Sequence, residues 1–408
     1  MRWLYALGLT RAVAGSWTAP TCAVPNTFAY SLQCSRKIEH SEVLSDATDS
    51  SSSRQAQRWN VGHTCYGAGS GEYCTYTDGL FNNGDGISFI TTAESIAHIV
   101  NRTALQGRIK VPKTEGSYRE AEISGKGRGL VATEAIQTGQ TLISRTPALV
   151  LNANAFKDLK RGDLDNLLAH AVESLPLIHR DEILELSTHD GARTDEEKVG
   201  KIFRTNSFLT GSHDGKSKFQ SLFATVSRIN HSCRPNCAYF FDPNTFAQNV
   251  VAVREISKGE ELSLAYIDPI LPQAERLKRL KAWGFECTCE RCGASAAQAA
   301  ESDQNMMEIQ RLWQEVDNYS SSSRATPAMA ERLISLYEQE GLQSRIQEAY
   351  YRAALEWIGV GEVEKASEYA RLCVKYGTLF KGSGRPFIEN MNQLLDNPTG
   401  HSHWRFRL

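Results

Sequence analysis

The chain has 408 residues, of which 41% are hydrophobic and 23% are charged, a composition typical of a globular protein with two or three domains. The formal net charge is −2, so the chain as a whole offers no basic field for nucleic acid, and we expect no direct nucleic-acid partner. No apolar run approaches the roughly 20 residues of a membrane-spanning helix, so we expect no membrane span.

The N-terminal segment allows two interpretations. The apolar residues 3–9 after Arg2 resemble a short secretory signal, although Arg11 interrupts the run before a small-residue, cleavage-like stretch at 12–14. The alternative is a disordered or misassigned leader. If the chain is exported, four cysteines of the first quarter could form two disulfides: Cys22, Cys34, Cys65 and Cys74.

The first quarter of the chain has the composition of a linker and a small module. Residues 45–53 are dominated by Ser, Asp and Thr, which predicts a flexible linker. Residues 60–90 are rich in Gly, Asn, Tyr and Cys and suggest a small irregular or β-rich module. We therefore predict a cysteine-containing, partly disordered leader over residues 1–110.

The next part of the chain predicts an α+β domain. Strand signals lie at 130–133, 141–144 and 148–151, and they return at 249–254 and 262–266. Helical spacing over 163–172 and a capping box at 194–197 predict a helical insert over about 152–222. Amphipathic helices follow, and their pairing suggests a tetratricopeptide-like array at 305–317, 328–340, 346–358 and 363–376.

Three cysteines within six residues predict a metal site. Cys287, Cys289 and Cys292 supply three thiolates, and zinc in a structural site takes four ligands, so Cys233 is the candidate fourth. A site closed by four cysteines would be structural. The alternatives are a disulfide, if the chain is exported, or unrelated thiols. We expect the two remaining cysteines, Cys237 and Cys373, to be small buried residues.

Three other segments are ambiguous when taken singly. Asn230-His231 could be a buried hydrogen-bonded pair, and a tyrosine such as Tyr266 at the end of a strand is usually part of the core. Gly127 and Gly129 lead into a strand, which excludes a dinucleotide-binding fingerprint because that motif opens a helix. A glycine pair there permits close approach of the backbone to a ligand.

In this order and spacing the segments resemble the motifs of SET-domain methyltransferases. The motifs are Gly-x-Gly-Leu at 127–130, Asn-His-Ser-Cys-x-Pro-Asn at 230–236, Glu-Leu-x-x-x-Tyr at 261–266 and Cys-x-Cys-x-x-Cys at 287–292. The stretches 283–287 and 206–208, with the helical tail, look most like the SMYD-like branch and its fungal relatives, here without a MYND finger. The resemblance covers residues 119–292 well and 305–400 loosely.

The resemblance implies a domain order. It implies a SET domain at 119–270 with knot-like threading around residues 230–236, a zinc-binding post-SET segment at 271–295 and a helical C-terminal domain at 303–408. It also implies a protein-lysine N-methyltransferase that transfers a methyl group from S-adenosylmethionine to a lysine of a histone or non-histone protein. The alternatives are an inactive SET scaffold that binds partners through its helical tail and a secreted cysteine-rich protein with a vestigial core.

The resemblance also implies the site residues. Tyr266 would be catalytic at the methyl-transfer point. The implied cofactor-binding residues are Lys126, Arg128, Asn206, Asn230, His231, Tyr266 and Phe285, and the implied ligands of a structural zinc are Cys233, Cys287, Cys289 and Cys292. Because export would separate the chain from its cofactor, we expect a nuclear or cytoplasmic protein, and we expect a monomer with a protein substrate.

Overall fold

The structure is a computed structural model that describes residues 59–101, 116–188, 190–320 and 322–408. The predicted signal-like segment, the linker at 45–53 and the cysteines Cys22 and Cys34 lie outside the described residues. None of the helices in these ranges combines the length and apolar character needed to span a lipid bilayer.

The described strands form one large sheet and three small ones. The strands are β1 Asn60–Tyr66, β2 Tyr73–Asp78, β3 Ile87–Thr91, β4 Tyr118–Ile123, β5 Gly127–Ala132, β6 Thr141–Arg145, β7 Leu149–Asn152, β8 Phe208–Gly211, β9 Phe219–Leu222, β10 Asn230–His231, β11 Cys237–Asp242, β12 Ala247–Ala252 and β13 Ser263–Leu264. The large sheet has the order β1-β2-β3-β7-β9-β8. The small sheets are β11-β12-β6, β4-β5 and β10-β13, and only β3-β7 and β10-β13 pair in parallel among these described strands.

The helices are concentrated in an insert between β7 and β8 and in the last third of the chain. The helices are α1 Phe81–Gly84, α2 Ala93–Val100, α3 Ala155–Asp158, α4 Arg161–Glu173, α5 Leu177–Leu184, α6 Asp195–Asn206, α7 Ala224–Ser227, α8 Gln273–Lys281, α9 Ala296–Val316, α10 Pro327–Gln339, α11 Ile346–Gly359, α12 Val363–Lys381 and α13 Pro386–Asp396. Mixed strands and helices agree with the predicted α+β class.

Three strands of residues 60–91, β1 to β3, are part of the large sheet. Every residue of β3 is buried, and Phe89 in its centre pairs with Val150 of β7 in a parallel register. A fully buried, β-branched strand is typical of a parallel pairing with both faces covered. The sheet therefore crosses the predicted leader boundary at residue 110. Cys65 and Cys74 lie opposite each other on β1 and β2 and form a disulfide.

The insert contains the predicted helices and then a hairpin. Helix α6 begins after Thr194, whose hydroxyl accepts a hydrogen bond from the backbone N–H of Glu197, so one half of the predicted capping box is present. The apolar sides of α4 and α6 pack on the large sheet through residues such as Leu168 and Phe203. The second part of the predicted insert is the β8-β9 hairpin, which extends that sheet.

The β11-β12 hairpin lies between two hydrophobic cores. Cys237 and Phe241 of β11 belong to the core of the sheets, whereas Ala238 between them packs with the core of the C-terminal helices. This alternation is the two-residue period of a strand that is covered on both faces. The C-terminal helices therefore share a core with the sheet domain. Helices occupy all four predicted helical ranges of the tail, with longer bounds for α9 and α12.

Candidate active site

The centre of the site is the parallel pair β10-β13. Asn230 pairs with Ser263 and His231 pairs with Leu264, and these two short strands lie on either side of the β11-β12 hairpin in sequence. Asn236 fixes the pairing, because its side-chain oxygen accepts a hydrogen bond of 2.8 Å from the backbone N–H of Ser263. This register brings the Asn230 motif and the Tyr266 motif together.

Asn230 is held by a carboxylate that also binds Lys126. The Asn230 amide donates to Glu261 Oε1 at 3.0 Å and to the backbone oxygen of Arg128 at 3.3 Å. The other carboxylate oxygen of Glu261 accepts a bond of 2.6 Å from Lys126 Nζ. A Cβ at Gly129 would lie 2.7 Å from Asn230 Nδ2. Gly129 thus admits the Asn230 side chain against β5.

His231 connects Tyr266 to the cysteine cluster. Its Nδ1 accepts a hydrogen bond of 3.0 Å from the backbone N–H of Tyr266, and its Nε2 lies 3.3 Å from Cys233 Sγ. Because Nδ1 is the acceptor, the neutral ring carries its proton on Nε2 and directs it at the sulfur. The ring is 4% exposed, so both contacts are shielded from water.

Tyr266 lies in an aromatic wall. Its hydroxyl donates a hydrogen bond of 2.7 Å to the backbone oxygen of Ile229. A phenol oxygen can also act as a hydrogen-bond acceptor. The Tyr266 ring lies 5.2 Å from the Trp283 ring, 5.4 Å from the His231 ring and 6.3 Å from the Phe285 ring, measured between centroids. The sequence analysis placed Trp283 in a family-like stretch but not among the site residues.

Arg128 and Asn206 both contact one short segment after α5. Arg128 donates to the Glu185 carboxylate at 2.6 Å, and this bond holds the pKa of Glu185 below its ordinary value. Arg228 donates to the backbone oxygen of Glu185 at 3.0 Å. The Asn206 amide donates to the backbone oxygens of Ser187 and Ile202 at 2.9 and 2.8 Å. One of these bonds therefore links Asn206 to the segment that Arg128 contacts, and the other stays within its own helix α6.

The four predicted metal ligands come together next to His231. The sulfurs of Cys233, Cys287, Cys289 and Cys292 all lie within 4.8 Å of one another, and those of Cys233 and Cys292 are 3.6 Å apart. Four sulfurs in tetrahedral geometry at about 2.3 Å from zinc are about 3.8 Å apart. Hydrogen bonds among the four thiols lower the pKa of Cys289 and Cys292 and raise that of Cys233 and Cys287. The cluster fits a structural zinc.

The predicted residues thus fall into three neighbouring groups. Lys126 and Asn230 share Glu261, while His231, Tyr266 and Phe285 form the aromatic group, and the cysteines lie beyond His231. Arg128 is linked to the first group because its backbone oxygen accepts from Asn230. The bridging role of Glu261 was missed, although its position in the Glu-Leu-x-x-x-Tyr motif could have indicated it.

This arrangement defines a SET domain. The family model described as SET domain matches residues 127–267, which include Asn230, His231 and Tyr266. Residues 127–267 of the chain, about a third of its length, are thus similar to the SET-domain family.

Curated relatives extend the match. The chain is 36% identical over 140 residues to the mouse protein named histone-lysine N-methyltransferase SMYD3, which is 34% of this chain and 31% of that protein. It is 24% identical over 299 residues to histone-lysine N-methyltransferase set5 of Schizosaccharomyces pombe, which is 70% of this chain and 85% of that protein. It is 31% identical over 150 residues to histone-lysine N-methyltransferase ATXR2 of Arabidopsis thaliana, over 36% of this chain and 29% of that protein. The matched part thus spans about a third of the length of SMYD3 and most of the length of set5.

Proposed function

We propose that the chain is a protein-lysine N-methyltransferase that uses S-adenosylmethionine. The observation that carries this proposal is the convergence of Asn230, His231 and Tyr266 on the β10-β13 pair inside a SET domain. The relatives named as histone-lysine N-methyltransferases support the same activity. We propose a histone or another protein as the substrate, and the nucleus or cytoplasm as the location.

The residues around Gly127 would bind the cofactor. Gly125 and Gly127 have positive φ values, and a Cβ at either position would meet nothing within 4 Å, so the turn at Lys126 faces open space. Lys126 and Asn230 lie beside that turn, held by Glu261. We assign cofactor contacts to these two residues. We also assign them to Arg128, Asn206, His231, Tyr266 and Phe285.

Methyl transfer requires alignment of a neutral lysine amine. S-adenosylmethionine, when bound, supplies a methyl group on a positively charged sulfonium. The aromatic rings of Tyr266, Trp283 and Phe285 exclude water, and burial beside a positive charge lowers the pKa of a lysine from about 10.4 towards neutrality. The Tyr266 oxygen, whose own proton is bound to Ile229, would accept a hydrogen bond from that amine and orient it.

Zinc would hold the post-SET segment in place. Cys233 follows the cofactor-binding strand β10, and Cys287 follows Phe285 by two residues. One ion bound by Cys233, Cys287, Cys289 and Cys292 would therefore fix the aromatic wall against β10. We assign this zinc a structural role. We also propose that the helical C-terminal domain at 303–408 is of tetratricopeptide-like type and that the chain is a monomer.

Substitution of Tyr266 by Phe tests the proposed function. The change removes one hydroxyl and keeps the ring, so we expect kcat to fall roughly 100-fold or more while cofactor affinity changes little. Transfer of a labelled methyl group to proteins of a cell extract measures kcat, and calorimetry measures cofactor binding. Tyr319→Phe is the control, because Tyr319 lies in the helical region and is 40% exposed.

The same assay separates the enzyme from an inactive scaffold. A wild-type chain that transfers no label to any protein fraction would favour the scaffold that binds partners through its helices. Full turnover by Tyr266→Phe would remove Tyr266 from the mechanism. Mass spectrometry of the labelled protein identifies the substrate and the modified lysine.

A further inference from the structure

We propose that Glu340, at the end of helix α10, is a positioning residue that holds the cysteine cluster against the cofactor-binding strand. The inference rests on the proposed zinc and cofactor sites and deepens them. Glu340 belongs to the C-terminal helical region and is 2% exposed. A carboxylate at this depth is stable only with compensating partners.

The partners of the Glu340 carboxylate come from two sides. On the helical side, Asn305 donates to one oxygen at 2.7 Å and Ser302 donates to the other at 2.7 Å. On the side of the cluster, Arg234 Nη2 lies 3.3 Å and Arg291 Nε lies 3.6 Å from that second oxygen. Four side chains therefore surround one carboxylate.

Both arginines are direct neighbours of proposed zinc ligands. Arg234 follows Cys233, and Arg291 precedes Cys292. These two cysteines are 59 residues apart in the sequence, and their sulfurs are 3.6 Å from each other. The single carboxylate of Glu340 thus pairs with one cation on each of the two segments that the cluster must join.

Further contacts fix the two arginines in these positions. Arg234 Nε also donates to the backbone oxygen of Glu340 at 2.9 Å, and its Cδ would lie 3.1 Å from a Cβ at Gly341. Arg291 is 2% exposed and donates to the backbone oxygen of Pro269 at 2.6 Å and to Ser302 at 3.0 Å. Arg291 therefore also reaches the segment that follows Tyr266.

Loss of the Glu340 charge would leave two cations close together beside the cluster. Without this shared carboxylate the two arginines lose the partner that joins them, so the Cys233 and Cys292 segments are held together less firmly, which weakens zinc binding and moves the wall that carries Phe285. Residues that support metal ligands from outside typically change metal affinity 10- to 100-fold when substituted. We expect a change of roughly that size here.

Glu340→Gln tests this inference, with Glu338→Gln as the matched control. Glu338 lies on the same helix and is exposed, so its substitution removes the same charge without touching either arginine. We expect zinc release to a chelating indicator to become roughly 10- to 100-fold faster in full-length Glu340→Gln and to stay at the wild-type rate in Glu338→Gln. The Michaelis constant for S-adenosylmethionine should rise more than kcat falls.

The outcomes are separable from those of the proposed function. Suppose that the wild type binds zinc and transfers methyl groups. Equal zinc-release rates for Glu340→Gln and Glu338→Gln would then overturn the role of Glu340 and leave the proposed function intact. A wild-type chain without bound zinc would overturn both the zinc site and this inference. If Glu340→Gln does not fold, Arg234→Gln replaces it, because that side chain is 32% exposed. Zinc release from Arg234→Gln at the wild-type rate would overturn the inference, and faster release would support it.

Discussion

Gly129 lies where strand β5 passes the side chain of Asn230, and only a glycine fits there. A Cβ would come within 2.7 Å of both Asn230 Nδ2 and Ile123 Cγ1, and within 3.3 Å of Glu261 Oε1. Gly129 lies outside the left-handed region, so its own backbone would tolerate an alanine. The requirement comes from the neighbouring amide and carboxylate, which cannot retreat without breaking their hydrogen bond.

Gly129→Ala should therefore weaken cofactor binding. Overpacking of this kind costs about 1–3 kcal/mol, and a loss of about 1.4 kcal/mol in binding is a tenfold rise in Kd. We expect the Kd for S-adenosylmethionine, measured by calorimetry, to rise about tenfold or more. Gly162→Ala is the control, because a Cβ there meets nothing within 4 Å. An unchanged Kd for Gly129→Ala would contradict the assignment of Asn230 to the cofactor.

Where a motif is local, the sequence is enough to predict which residues lie close together. Asn230, His231 and Cys233 lie within four residues, so any fold of that segment keeps them close, and the structure adds Tyr266 through strand pairing. The partners of the carboxylates were not predictable in this way. Glu261 binds Lys126 across 135 residues and Glu185 binds Arg128 across 57. No rule of sequence spacing predicts which charged residue will pair with a given carboxylate when the two are this far apart in the chain.

His179 links two elements that are far apart in sequence. It lies on α5, 3.5 Å from the Asp85 carboxylate in the turn before β3 and 3.3 Å from Glu182 on its own helix. The hydrogen bond to Asp85, followed by that to Glu182, raises the pKa of His179 to about 9. The charged imidazole thus connects the turn before β3 to the helical insert.

The stability contributed by His179 should depend on pH. Because the pKa in the folded state lies above the unfolded value of 6.5, the contribution is complete below about pH 6.5 and is lost as the pH rises through about 9. We expect the difference in free energy of unfolding between wild type and His179→Gln to be largest near pH 6 and to shrink towards pH 9. Urea denaturation across this range measures it, and the exposed His98→Gln is the control. A pH-independent difference would contradict the ion pair.

Elements were predictable to the extent that their pattern is local. The helices of the tail have an apolar face with a 3.6-residue period, and the sequence located four of them. Helix α9 begins nine residues before the predicted start because Ser295 and Gln298 form a capping box in a stretch without apolar periodicity. The place of β3 in the large sheet was missed, since its partner β7 lies about 60 residues later. Pairing across that distance depends on tertiary packing.

At the scale of the whole molecule, the cysteine cluster is a small core between larger ones. Cys233, Cys287 and Cys289 pack with Leu280 and Trp283, apart from the main cores of the sheets and of the C-terminal helices. Each larger core contains more than twenty buried residues, so neither should need zinc to remain folded. Loss of metal should disorder the site and leave most of the secondary structure intact.

Cys292→Ala tests this consequence, with Cys373→Ala as the control. We expect about one zinc per wild-type chain, retained by Cys373→Ala and lost from Cys292→Ala, because Cys373 lies in the separate helical core. Elemental analysis measures the zinc. Cofactor binding should fall with the metal, while the far-ultraviolet circular dichroism stays close to that of wild type. Full zinc content in Cys292→Ala would refute the proposed ligand set.

The parallel pairing of β3 with β7 also protects the domain from self-association. Without the strands of residues 60–91, β7 would lie at the border of the large sheet, and its backbone N–H and C=O groups would be open to another chain. An uncovered apolar strand such as Leu149–Asn152 is a template for aggregation. Strands β1 and β2 extend the sheet beyond β3, and the outermost of them, β1, is partly exposed and interrupted by a register shift.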